Sequence, residues 1–433
     1  MHTGTFADWS RIPIIISSTA GMRSVTPRSA QLAILEDITQ YLSDPAHSPF
    51  ALEAVTIISG EQEAVYGGVS INHGIQNRNE PQNWYGFLEM GGASTQYTVY
   101  YPEVLVNTQT LLIDYHDSVS VFAQSYPNYG KDAMRRRYVE ALILSRHNTT
   151  TTHTDTDDDT TYMAACFQED YLEPFTINTT MLLALKEHQI VGDGSMIVAE
   201  EQDLTAVTND NTTTTTGGDD WGVVMIQGSG KPEECIAAID PLLHLDYFCA
   251  LQPCGILGRT IPPYLEEKTY VAVGAFFYDI RNLGLIDGDH GVSTNQQLLN
   301  AASTLCQQPL AQDAGRFAKQ QCFSSLYESR VLSSYGFPDD QPITFAEILN
   351  NRTASWTYGQ IFDLRRVAVL SCPEDNPYIV AYKLEEAEHD ENNKSSASSA
   401  SSPSSTSYHY YSSLLCVILS SFVVTMMSSP HHH

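Results

Sequence analysis

Hydrophobic and polar positions alternate along this chain in short, well-separated blocks. Ile12–Ile16 is rich in isoleucine and reads as a buried strand, with Pro13 confined to its start. Thr19-Ala20-Gly21-Met22-Arg23 follows as a turn. Ser29–Leu42 has helical spacing through Leu32, Leu35, Ile38 and Leu42. Ala54–Ile58 predicts a second strand, with Gly60–Gly67 leading from it into a turn or a helix start. Tyr85–Met90 predicts a third, running into Gly91-Gly92-Ala93-Ser94-Thr95, after which Tyr97–Tyr101 stays extended. Strands alternating with helices predict an α/β fold. Two tracts break the pattern, the Thr/Asp-rich Asn148–Thr161 and the Thr/Asn/Gly-rich Asn209–Asp220. Neither can bury apolar area, and both read as disordered surface insertions.

The far end is of another kind. Ser395–Ser407 is a serine-rich stalk, and Leu414–Met427 is apolar apart from Ser420, Ser421 and Thr425. The apolar run is shorter than the ~20 residues of a comfortable membrane span. A serine-rich spacer before a hydrophobic tail also describes a GPI-attachment signal. Membrane attachment of either kind is the expectation, with an amphiphilic tail as the alternative.

Length and charge narrow the function. A chain of 433 residues predicts two domains or lobes. The net charge of −29, from 51 acidic and 22 basic residues, repels phosphate backbones and argues against nucleic-acid binding. A small phosphorylated substrate remains compatible with it, given a divalent cation and backbone N–H groups to hold the phosphates. The eight cysteines include no CxxC pair, and no His cluster lies near them. Their even number fits disulfides in an oxidising compartment. Sequons at Asn148, Asn178, Asn211, Asn351 and Asn393 point the same way. Met1–Arg11 has no apolar core of a signal peptide. The expectation is therefore a chain whose front end is missing, or one inserted through a later apolar segment.

Three stretches carry candidate chemistry. Gly91-Gly92-Ala93-Ser94-Thr95 after an apolar strand can form an anion nest with two hydroxyl donors; a Gly-Gly hairpin fits as well. Thr19-Ala20-Gly21 is a second such loop. Glu63, just past a strand end, has the placement of a general base orienting water, or of a solvated loop glutamate.

Order and spacing bring these together. IPIIISSTAGMRSV, SGEQEAVYGGVSIN, GFLEMGGASTQYTV, VAVGAFFYDI and SWTYGQIFDL resemble, in this order, the second to fifth signature blocks and a late Trp block of the apyrase family, the ecto-nucleoside triphosphate diphosphohydrolases. Tyr129-Gly130-Lys131-Asp132 is a further family string. The resemblance runs from about Ile12 to about Leu364. It implies the two-lobed actin-like ATPase fold, each lobe built on a ribonuclease-H-like sheet, here with the N-terminal lobe incomplete. Residues 1–59 would then form part of the first lobe and 60–345 the second. The chain would return to the first lobe over 346–386, followed by a stalk (387–412) and a hydrophobic tail (413–433).

The resemblance also implies an extracytosolic enzyme, at the cell surface or in the secretory-pathway lumen, that cleaves nucleoside tri- or diphosphates with Ca²⁺ or Mg²⁺. Glu63 would be the catalytic base, and Gly91, Gly92, Ala93, Ser94, Thr95 and Gln96 would cradle phosphate, with Ser94 also near the water. Thr19 and Arg23 would support that site. Glu89, where the family usually has Asp, and Trp356 would stand at the metal's water shell. Phe277 or Tyr278 would stack on the base, core packing being the alternative. It further implies disulfides pairing Cys166 with Cys235, Cys249 with Cys254, and Cys306 with Cys322; Cys372 and Cys416 have no placed counterpart.

The sequence departs from the family at Gly68, normally Trp, at Gln321, commonly an aromatic, and in having no Asp-x-Gly-Ser-Ser phosphate loop. Those departures motivate the competing expectation of a membrane-tethered glycoprotein that binds nucleotide without turnover. A sugar kinase or chaperone ATPase of the same fold is a second rival; disulfide-like cysteines and sequons argue against it.

Overall fold

A computed structural model describes Trp9 and residues 12–75, 80–103, 105, 107–113, 117–149, 161–178 and 221–362. Strand β1 (Pro13–Ser18) and strand β2 (Ala51–Ile57) pair in parallel, joined by helix α1 (Arg28–Ser43). A single helical turn, Ala20–Arg23, follows β1, and helix α2 (Gly60–Val69) follows β2. The region read as a turn or helix start is thus a full helix. Its start is fixed by a capping box in which Ser59 Oγ accepts from the Gln62 backbone N–H while the Gln62 side chain accepts from the Ser59 N–H.

The second sheet has seven strands. These are β3 (Gly86–Met90), β4 (Ser94–Val99), β5 (Thr108–Ile113), β6 (Asp117–Pro127), and, after a long excursion, three more. Helix α3 (Lys131–Thr149) leads to a three-stranded sheet of β7 (Thr161–Ala164), β8 (Leu172–Asn178) and β9 (Trp221–Gly228), then to helix α4 (Pro232–Ile239). The chain returns through β10 (Tyr270–Gly274), helix α5 (Ala275–Asn282), β11 (His290–Ser293), helices α6 (Asn295–Cys306) and α7 (Arg316–Ser334), and β12 (Ile343–Ala346). The strand order is β11-β12-β10-β3-β4-β6-β5. Antiparallel β3, β4 and β6 stand beside β10 and β12, which run parallel to β3. This mixed order is that of the expected ribonuclease-H-like lobe.

Helix α2 lies on the β3-β4-β6 face, and its glycines explain the fit. A Cβ at Gly67 would stand 2.0 Å from the Phe87 ring of β3, so the helix reaches this depth only because that position has no side chain. Gly67→Ala must push apart a fully buried ring and a helix, and we expect it to cost about 1–3 kcal/mol in denaturant unfolding. Around this contact Ile58, Ala64, Val65, Tyr66 and Val69 pack with Trp84, Val121 and Ala123.

Three disulfides are present: Cys166–Cys235 ties the chain just after β7 to α4, Cys249–Cys254 closes a short loop, and Cys306–Cys322 links α6 to α7. All three pairings are those the family resemblance implied. Cys372 and Cys416 lie outside the described residues, as do the tract 209–220, the stalk and the apolar tail. The Thr/Asp-rich tract is described only at its ends, where Asn148 and Thr149 close α3 and Thr161 opens β7 rather than forming loop. Among the described residues no helix is long and apolar enough to cross a membrane.

Candidate active site

The strand ends build the site. Arg23 follows the C-terminal end of β1 and Glu63 that of β2, and parallel pairing puts both on one edge. Arg23 Nη2 donates to Glu63 Oε2 at 2.9 Å, while Nη1 donates to the Ile58 backbone oxygen at 2.6 Å. The guanidinium is therefore held to the β2–α2 corner and the carboxylate to the guanidinium. Glu63 is 5% exposed. Burial raises its pKa, and the opposing pull of Arg23 and of the Thr19 hydroxyl does not cancel that rise.

The loop between β3 and β4 connects to the start of α2 through Ser94, Gln96 and Ser125, the last lying against Gly60. Gly91 N–H donates to the Ser94 oxygen at 2.9 Å, closing a tight turn. Behind it stands the start of α3: Lys131 N–H donates to the Gly91 oxygen and Asp132 N–H to the Gly92 oxygen. Gly130 makes this possible, since a Cβ there would lie 2.4 Å from the Ala93 nitrogen. The Tyr129-Gly130-Lys131-Asp132 string thus braces the loop from behind. Thr95, fully buried, donates through Oγ1 to the Glu89 oxygen at 2.6 Å and is a structural member of the loop. Gln96 Nε2 donates to Ser94 Oγ at 2.7 Å.

Glu89 joins the two halves. It stands on β3 opposite Gln96, and its Oε2 is sealed from solvent without a hydrogen-bond partner. Burial holds its carboxyl well above the usual range, and the neighbouring charge of Glu63 raises it further. Two carboxyl groups in one buried corner, one with an orphaned oxygen, form a site that a cation or a cation-bound water would relieve. Glu89 and Glu63 therefore fit a divalent cation held through water. Among the described residues no group of three His, Cys, Asp or Glu side chains is placed to cage a metal directly.

The remaining candidates sit less centrally. Phe277 is fully buried and packs in the core, the alternative raised for it, so its ring offers no face to a base. Tyr278, in the first turn of α5 beyond the same sheet edge, is 38% exposed; its hydroxyl donates to Glu347 and Arg281 lies over its ring. Trp356 is half-buried against the α2 cluster. The sequence reading did not single out Ser125, whose Oγ accepts from Gln96 Nε2 at 3.2 Å.

A sheet of this order is that of the actin-like ATPase fold class. A nucleoside triphosphate hydrolase structure from Neospora caninum matches 81% of this chain and 72% of its own, with a TM-score of 0.53 and 14% identity. The sequence profile of the GDA1/CD39 (nucleoside phosphatase) family matches residues 6–376, and the chain belongs to that family. The Golgi apyrase of Saccharomyces cerevisiae is 25% identical over 410 residues, covering 85% of this chain and 58% of its own. Ectonucleoside triphosphate diphosphohydrolase 8 of Homo sapiens is 23% identical over 396 residues, covering 85% of this chain and 70% of its own. The chain thus spans somewhat more than half the length of the yeast relative.

Proposed function

We propose that this protein hydrolyses nucleoside tri- and diphosphates to lower phosphates and inorganic phosphate, in the secretory pathway or at the cell surface. The observation that carries the reading is the buried Glu63 carboxylate, held by Arg23 and facing Glu89 beside the 91–95 bend. Glu63 takes a proton from a water as the water oxygen bonds to the terminal phosphorus. The bond from phosphorus to the bridging oxygen breaks, and its electrons leave on the shortened nucleotide. Gly92, Ala93 and Ser94, aimed by the turn that the Gly91 N–H closes, hold the phosphoryl oxygens, over which the charge of the transferred group is spread. Arg23 and Thr19 fix the direction of the base. Ca²⁺ or Mg²⁺, when bound, neutralises phosphate charge; Glu89 would hold its water shell, with Trp356 beside it. Tyr278 is the ring left to stack on a nucleobase, a contact indifferent to base identity. The C-terminal tail provides membrane attachment in this reading.

Phosphate release from ATP, ADP, GDP and UDP tests it. We expect turnover with Ca²⁺ or Mg²⁺ and loss of at least ~100-fold in excess chelator, since charge neutralisation supplies several kcal/mol here. Release that ignores chelation would remove the cation from the reading.

A second reading, nucleotide binding without turnover, draws on Glu89. Its side chain is one methylene longer than the family's usual Asp, which shifts a carboxylate by about an ångström against an octahedral shell that tolerates little. Saturable binding of ATP with no phosphate release would establish it.

A further inference from the structure

Three polar side chains stand in register across three strands. Glu89 of β3 pairs with Gln96 of β4, and Gln96 pairs with Ser125 of β6. Gln96 is 1% exposed, and its Nε2 donates to two hydroxyl oxygens at once, Ser94 Oγ at 2.7 Å and Ser125 Oγ at 3.2 Å. A carboxamide has a donor end and an acceptor end, and which end faces a hydroxyl decides what that hydroxyl can do. With the NH₂ end presented, Ser94 Oγ accepts and keeps its own proton to give to a ligand of the 91–95 bend. With the amide reversed, the carbonyl oxygen would take that proton and leave the bend one donor short.

Neither hydroxyl decides between the two orientations, because each can serve either end; the two contacts together fix the amide's place between β4 and β6. Ser125 is the second contact on the same nitrogen. It is buried, and it lies directly beneath the start of α2: a Cβ at Gly60 would stand 2.3 Å from Ser125 Oγ. Helix α2, which carries Glu63 one turn later, is seated on this hydroxyl and prevents it from turning away.

We propose that Ser125 is a positioning residue for the reaction. It acts through Gln96, holding the amide in place against Ser94 so that the Ser94 hydroxyl stays aimed at the transferring phosphoryl group or its attacking water. Ser125 touches neither substrate nor the reacting atoms. The role rests on the hydrolytic reading above.

The test is a double-mutant cycle read by steady-state phosphate release from ATP with Ca²⁺. Ser125→Ala should lower kcat about 10-fold, equivalent to ~1.4 kcal/mol, with KM within about twofold. Gln96→Ala should lower kcat at least as much. The double variant should be no slower than Gln96→Ala alone, because Ser125 has nothing left to orient. Ser125→Cys keeps the volume but accepts hydrogen bonds poorly, so it should show the same kcat loss even if the alanine variant folds badly. Losses that multiply in the double variant, or equal losses in kcat and affinity, would overturn the role, since a packing defect behaves that way. Unchanged turnover in Ser125→Ala together with loss in Glu63→Gln would refute only Ser125; unchanged turnover in Glu63→Gln would instead refute the hydrolytic reading beneath it.

Discussion

Glu63→Gln should reduce kcat about 10²–10⁴-fold, the range for removing a positioned general base, while nucleotide affinity stays within a few fold. The substitution is nearly isosteric. A glutamine oxygen can still accept from Arg23 Nη2, so the corner between β2 and α2 keeps its geometry. Only the ability to take a proton is lost. The pH profile provides a second signature. Burial raises the Glu63 pKa above its ordinary value of 4.5, so the wild-type rate should climb through an acid limb displaced upward from that value as the carboxyl ionises. In Glu63→Gln that limb should vanish from whatever activity remains. Single-turnover phosphate release across pH 4–8 measures both effects. A residual rate that keeps the limb would assign it to another group, and Glu89, raised further still, would be the first to examine.

The parts of this site readable from sequence are those whose neighbours are close along the chain. The isoleucine run of β1, the strand before Gly91 and the carboxylate after β2 each carry a local signal, and parallel pairing then brings Arg23 and Glu63 to one edge. What was hidden depends on distant partners. Ser125 is 29 positions from Gln96, and its polar side chain inside a buried strand has no meaning until β4 and β6 pair. Helix α2 was uncertain because its apolar and small residues are buried almost all round, which erases the helical period; Gly60, Gly67 and Gly68 look like turn signals but are clearances for a sheet. Phe277 and Tyr278 are adjacent in sequence and differ wholly in exposure, a difference set by which side of α5 meets the core. Helix α7 misleads most: Gln320, Gln321, Ser324, Ser325, Glu328 and Ser329 are all buried, against every compositional expectation.

Glu328 gives that helix a measurable consequence. It is fully buried, Asp279 on α5 is 5% exposed, and Oδ2 of Asp279 and both oxygens of Glu328 have no donor if both groups are ionised. A proton shared between them supplies one. The charged or titratable groups facing the pair are Lys131 at the start of α3, which lowers both, and Tyr327 beside Glu328; Ser324 and Gln321 of α7 add neutral contacts to Asp279. Burial nevertheless dominates, and both carboxyl pKa values lie above their ordinary values, Glu328 the more so. A raised folded-state pKa means that the native protein binds more protons than the unfolded chain. The pair's stabilising contribution is therefore full below the unfolded value and lost as pH rises through the folded one. Glu328→Met keeps the length of the side chain and removes the second carboxyl. At pH 8 it should stabilise the protein by about 1–4 kcal/mol, the range seen when buried charge is replaced by packed apolar groups. At pH 5 the gain should be smaller, because protonation, which the raised folded-state values favour as pH falls, removes the charge that opposes burial. Urea unfolding of both proteins at the two pH values isolates this pair, since Glu63, Glu89 and Glu140, raised in the same direction, are common to both. Equal differences at the two pH values would mean that Glu328 does not change its ionisation in this interval.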